Sequence, residues 1–192
     1  MKILFRNLMF VGVLLFMSSC GYNGMVQLDE KVQGQWADVE AAYQRRADLI
    51  PNLVKTVKGL ADFEKSTLEA VVNARASATK VEIDPSNLTA DNIKQFEAAQ
   101  GKVSGALSRL LLTFERYPEL KADKGFLELQ AQLEGTENRI SVERQKFNET
   151  VEEYNSTVRA FPQMAYAGLL GFDRKAYFES QEGADEAPSV EF

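Results

Sequence analysis

Apolar residues recur along most of this chain at alternating steps of three and four, the spacing of one stripe on a helix. The clearest run is Ile93, Phe96, Gln100, Val103, Leu107, Leu110, Phe114 and Tyr117, a heptad seam with one polar member. Thr89 or Asp91 supplies its cap. Pro118 ends it, because the residue before a proline is pushed out of the α region. An earlier stripe covers residues 25–80: Val32, Trp36, Val39, Tyr43, Ile50, Leu53, Val57 and Leu60, then Leu68, Val71 and Val72. Pro51 falls inside it, yet the apolar phase is the same on both sides. A reversal of direction has no need to keep that phase, so the pattern predicts one long helix kinked at Pro51. The alternative is a break, with Asp48 capping a new helix and Pro51 in its first turn. A third seam starts after Asp123, a candidate N-cap. It runs through Phe126, Leu129, Leu133, Ile140, Phe147, Val151, Tyr154 and Val158 to Phe161. Between Leu133 and Phe147 it takes an extra four-residue hop, a stutter that puts Thr136 and Arg144 on the seam as a polar waist.

The predicted fold class is therefore all-α. Three long helices with short connections must pack antiparallel to bury their stripes. Residues 81–88 are a polar connection. A short C-terminal helix is expected over 163–170, and Phe172, Tyr177 and Phe178 should fold back on the bundle rather than face water together. The segment 179–192 is acidic and rich in small residues and is expected to be disordered. No strand pattern, internal repeat or glycine-rich phosphate loop is present.

The N-terminus changes the picture. Lys2 and Arg6 precede an apolar run from Leu8 to Met17, then Ser18, Ser19 and the single cysteine, Cys20. The run is about ten residues, whereas a helix crossing the hydrocarbon needs roughly 20. A charged start, a short apolar middle and small residues at a cut site read as a secretory signal. Leu15-Phe16-Met17-Ser18-Ser19-Cys20 resembles a lipobox, which implies diacylglycerol on the Cys20 sulfur. The alternative is an uncleaved anchor helix from Ile3, with Arg6 inside it. The expected organisation is a signal peptide over 1–19, a lipidated tether over 20–31, the bundle over 32–178 and the tail.

Cleavage would remove two cations and no acid from a chain whose net charge is already −6. Such a surface repels nucleic acid and anionic head groups, so no nucleic-acid partner is expected and membrane attachment must be apolar. With one cysteine, no disulfide forms within the chain. The sequence has no histidine, which removes the commonest metal ligand and general base. No motif asks for a metal or cofactor.

Several segments together resemble the LemA family. They are Arg45-Arg46-Ala47-Asp48-Leu49-Ile50-Pro51-Asn52-Leu53-Val54, Leu129-Gln130, Leu133-Glu134-Gly135-Thr136-Glu137-Asn138-Arg139-Ile140, Phe147-Asn148, Tyr154-Asn155, Phe161-Pro162 and Gly171-Phe172. The resemblance spans residues 32–178 and implies a LemA-like four-helix bundle on the cell envelope, with no established biochemical activity. The family usually begins with a membrane-spanning helix, where this chain has its lipobox-like segment. The family's Ala-Arg…Tyr-Asn pattern reads Glu143-Arg144…Phe147-Asn148 here.

Three groups of residues are candidate sites. Arg45, Arg46, Asp48, Pro51 and Asn52 form a partner-binding or hinge patch, or else satisfy carbonyls freed by Pro51 with Arg46 and Asp48 in water. Thr136, Glu137, Arg144, Asn148 and Asn155 form a buried polar network that holds a ligand or sets helix register. Val190 and Phe192 end the chain in a form that PDZ-type envelope proteases and chaperones read by strand addition.

With no nucleophile–base arrangement, the reading is a lipid-anchored, non-catalytic interaction or scaffold protein of the bacterial envelope. Its first helix would reach on the order of 80 Å at ~1.5 Å per residue. The competing reading is an accessory factor for an envelope protease, chaperone or signalling protein. A carboxylate-dependent hydrolase is a distant third. Partners are the membrane, through the acyl anchor, and an unidentified envelope protein. The seams could also close between two copies. Gly21-Tyr22-Asn23-Gly24 holds no acid, and by resemblance to lipoprotein sorting signals this implies the periplasmic face of the outer rather than the inner membrane.

Overall fold

The computed structural model describes residues 2–58, 64–114, 116–117 and 123–179, with side chains from residue 21 onward. Among the described residues four α-helices carry the fold: α1 (Lys2–Lys58), α2 (Lys65–Ala78), α3 (Ala90–Phe114) and α4 (Lys124–Arg159). The described residues contain no strand. The side chain of Cys20, and Val190 and Phe192 entirely, lie outside the described residues.

The all-α bundle stands, but its elements divide differently. The first seam is two helices, not one. α1 continues unbroken through Pro51 to Lys58; α2 starts at Lys65 and doubles back along it. Matching the stripe across Pro51 gave the right answer there. It could not see the reversal between α1 and α2, because the eleven-residue step from Val57 to Leu68 keeps the stripe in phase in either arrangement. The helix from Met25 to Lys58 therefore reaches roughly 50 Å, not 80 Å. Asp48 caps nothing: its carboxylate accepts from Gln44 Nε2 at 2.8 Å, one turn back.

Capping chemistry sets the other boundaries. Thr89 Oγ1 accepts from Asn92 N at 3.3 Å at the start of α3. Asp123 Oδ1 accepts from Phe126 N at 2.7 Å at the start of α4. The expected helix over 163–170 is instead two separate 3₁₀ turns, Gln163–Ala165 and Gly168–Leu170. Gly171, at φ 84°, closes the second, a backbone shape that only glycine enters freely.

Cross-helix bonds fix an antiparallel order. Lys31, Gln35 and Arg46 of α1 meet Glu153, Glu143 and Glu137 of α4. Two apolar cores result. One gathers Trp36, Tyr43, Phe96, Phe147 and Phe178, with Trp36 5.5 Å from Phe147 and stacked on Phe178 at 5.8 Å. The other gathers Ile50, Leu53, Val57, Leu68, Leu110 and Phe126 at the opposite end. The bundle begins earlier than residue 32. Met25 is fully buried, and Asp29 and Lys31 pair with Lys175 and Glu153, so residues 25–31 are bundle rather than tether. Phe172 and Phe178 fold back into the first core as expected, while Tyr177 stays partly exposed.

Candidate functional site

The seam of α1 has a gap between Tyr43 and Ile50, and Arg46 fills it at the heptad position. The helix therefore points a guanidinium into the bundle. Arg46 is 1% exposed, so the expectation that it is solvated is wrong. Its four contacts explain how a charge survives there. Nη1 donates to Ser104 Oγ and Glu137 Oε1, each at 2.7 Å. Nη2 donates to Gln100 Oε1 at 2.8 Å and to the Gln100 carbonyl at 3.2 Å. The planar fork suits such a divided set of acceptors in a way a lysine cannot. The Tyr43 ring covers it at 5.1 Å. Gln100 is the polar member of the α3 seam, and Glu137 comes from the α4 waist. Three helices thus place their polar seam residues in one layer, and that layer separates the two apolar cores.

The other members of the first cluster go elsewhere. Arg45, Asp48, Pro51 and Asn52 are exposed. Pro51 has no N–H for the Ala47 carbonyl, four residues back, and that oxygen accepts from Arg75 Nε on α2 at 2.6 Å.

The second predicted cluster is present but differently wired. Glu137 and Arg144 share a face of α4 and hold different helices. Glu137 takes Arg46, while Arg144 pairs with Glu97 of α3 and donates to the Glu179 carbonyl at 3.0 Å. Thr136 is buried and returns its hydroxyl to Gln132 O of its own helix at 2.7 Å. Burial pushes the Glu97 carboxyl above the usual carboxylate range, with Arg144 pulling the other way.

Asn148 and Asn155 hold backbone, not each other. Residues 172–179 run as a non-helical strap along α4. Asn155 Nδ2 donates to Lys175 O at 2.8 Å and its Oδ1 accepts from Lys175 N at 3.0 Å. Asn148 does the same to Phe178, at 2.9 and 2.8 Å. Seven residues of helix advance ~10.5 Å, and three extended residues advance about 10 Å, so the two spacings agree. The Tyr154 hydroxyl donates to Asp173 O at 2.9 Å, and Ala176 N donates to Leu88 O at 3.0 Å. Burial, reinforced by Asp29 and Asp173, holds the Tyr154 phenol well above its usual range, so it remains a donor. Phe147 is fully buried between Trp36 and Phe178.

Between the arginine layer and the strap lies an open cleft of about 900 Å³, with Glu97, Arg144, Gln100, Glu137 and Glu179 on its walls. A smaller hollow of about 300 Å³ lies on the other side of Arg46, bounded by Glu40, Arg75 and Glu82. Among the described residues no group of three His, Cys, Asp or Glu is placed to hold a metal ion. Sequence reasoning missed the partners Gln100, Ser104, Glu97 and Arg75. The signal for the first was legible: a polar residue on a heptad seam, at the level of the gap in α1.

The family model described as LemA family matches residues 35–192. Magnetosome protein MamQ of Magnetospirillum gryphiswaldense is 26% identical over 183 residues, covering 85% of this chain and 66% of its own length. Magnetosome protein MamQ 2 of Paramagnetospirillum magneticum is 25% identical over 181 residues, with the same coverage. Protein LemA of Metamycoplasma hominis is 22% identical over 172 residues, covering 90% of this chain and 75% of its own. The chain therefore spans slightly less than two thirds of the length of the magnetosome relatives. With four fifths of its residues under the family model, the chain belongs to the LemA family.

Proposed function

We propose that this protein is a membrane-tethered, non-catalytic scaffold of the bacterial envelope, held by an acyl chain on Cys20 and presenting the bundle to a protein partner on the periplasmic side. The observation that carries the reading is the wiring of the waist. The groups that would do chemistry are spent between helices. Arg46 bridges α1, α3 and α4; Arg144 ties α3 and the strap to α4; Tyr154 keeps its proton and holds the strap. A reacting group needs a free lone pair or a proton to give, near a second group that activates it. These residues instead align three helices and the strap, the best-attested use of buried polar groups.

The open cleft is the surface this scaffold offers. It is ringed by charges of both signs and overlies the junction of three helices and the strap. Photo-crosslinking in cells from Lys94 and Ser141 on its rim, with mass spectrometry of the adducts and of the Cys20 peptide, tests the proposal. Recovery of one saturable envelope partner and a diacylglyceryl adduct is the expected result. A bare thiol with the leader attached removes the acyl tether. Turnover of any substrate by the purified protein, lost on substituting a cleft acid, removes the scaffold role.

A further inference from the structure

The bundle end beside the N-terminus has an unusual surface. Residues 160–172, Ala-Phe-Pro-Gln-Met-Ala-Tyr-Ala-Gly-Leu-Leu-Gly-Phe, contain no charged side chain in a protein where 26% of residues are charged. The two 3₁₀ turns leave Phe161 86% exposed and Leu169 88% exposed, with Met164 and Leu170 at least half exposed. Four large apolar side chains within ten residues are more than the scattered surface apolars of a soluble face. Elsewhere the exposed large apolars, such as Val72, Leu112 and Val142, stand far apart in the sequence and on different helices.

The position of this turn says what covers it. The Tyr22 ring meets Phe172 edge-on at 5.6 Å. Gly21 lies so close to the first 3₁₀ turn that a Cβ there would come 2.5 Å from the Tyr166 hydroxyl. Residue 20, and the apolar run of residues 8–17 before it, thus leave the bundle at this turn. Whether that run is retained as an anchor or replaced by an acyl chain on Cys20, the bilayer meets the bundle here. From Asn7 to Leu28 the chain is also uncharged. Arg159 and Arg174, both exposed, flank the turn, where lipid phosphates would lie.

We propose that the turn of residues 160–172 is a second membrane contact, with Phe161, Met164, Leu169 and Leu170 entering the lipid interface beside the anchor. A diacylglyceryl group carries two acyl chains and so holds the protein at the bilayer by itself, but it fixes no orientation. An apolar turn beside the anchor supplies the second point of contact without lysines, and it sets the bundle upright on its end instead of letting it swing. This inference rests on the N-terminal anchor of the proposed function.

The test uses the full chain purified from membranes and reconstituted into phosphatidylcholine vesicles brominated in the upper acyl chain. Trp36, the only tryptophan, is fully buried and provides a constant background. Leu169→Trp adds a reporter at the turn, and Glu128→Trp adds one at the far end of α4. Insertion of ~5–10 Å predicts roughly a twofold loss of the added Leu169→Trp emission and a blue shift, with Glu128→Trp unchanged. Protein that floats with the vesicles while Leu169→Trp is unquenched overturns the second contact and leaves the anchor standing. Equal quenching of both reporters overturns it, because the bundle then lies flat. So does a blue shift at Leu169→Trp that appears without vesicles and grows with protein concentration, because the turn is then covered by a second copy. Failure to float removes the anchor and this contact with it.

Discussion

Arg75 Nε lies 2.6 Å from the carbonyl oxygen of Ala47, the one acceptor in α1 that Pro51 leaves without an intrahelical N–H. The proline's cost is met by the helix that returns alongside it. Arg75→Met should therefore cost about 1 kcal/mol in the native protein. In a Pro51→Ala background, residue 51 regains an N–H that reaches Ala47 O, and the same substitution should cost much less. A double-mutant cycle in urea gives the coupling directly. A coupling near zero would separate the arginine from the proline.

Arg46 ties three helices through one buried guanidinium. Arg46→Met strands Gln100 and Ser104, whereas Glu137, 44% exposed at its side chain, regains water. The expected loss is about 2–3 kcal/mol, below the usual cost of breaking a fully buried pair for that reason. Arg46→Lys should recover less than half, because an ammonium does not span the acceptor set. The urea midpoint should fall with an unchanged m-value.

The strap should detach as a unit. Asn155→Ala leaves the buried Lys175 N–H and C=O unpaired and should cost about 2 kcal/mol; Asn148→Ala, less buried, should cost about 1 kcal/mol. The double variant should lose less than the sum, since the second substitution acts on a strap already loose. Hydrogen exchange at the Lys175, Ala176 and Phe178 amides reports this. Protection there should fall by a larger factor than anywhere in α3.

Stability should carry the titration of Glu97. Its carboxyl is raised in the folded protein, chiefly by burial, so the fold binds that proton more tightly than the unfolded chain does. The stabilisation it brings is full below the unfolded value, about 4.3, and is lost as pH rises through the folded value. Relative to Glu97→Gln, the native protein should therefore lose ground from pH 4 upward and level off once Glu97 is ionised in both states. Paired denaturation curves of the two proteins from pH 4 to 8 check the sign.

Periodicity carried the bundle and its caps because both are local. It placed Asp123 as a cap and carried α1 through Pro51, each decided by chemistry within one turn. It singled out Asn148 and Asn155 by their spacing but not their partners. Those are backbone groups 20 to 30 residues downstream, in a segment with no periodic pattern of its own. Arg46 was legible as a filled heptad position and was misplaced in water because a charge on a seam was weighed by its type. The waist of α4 and the polar Gln100 already marked the level where such a charge finds acceptors. The reversal between α1 and α2 was hidden because a stripe constrains the angle around a helix axis and says nothing about the direction of travel.

The matched pitches of the strap and α4 act as a caliper. Two asparagine jaws ~10.5 Å apart close on residues three apart, and a strap slipped by one residue satisfies neither. Such a slip would also turn Phe178 outward, because side chains alternate along an extended chain. The polypeptide is thereby delivered to a single address, with Glu179 against Arg144 at the lip of the cleft.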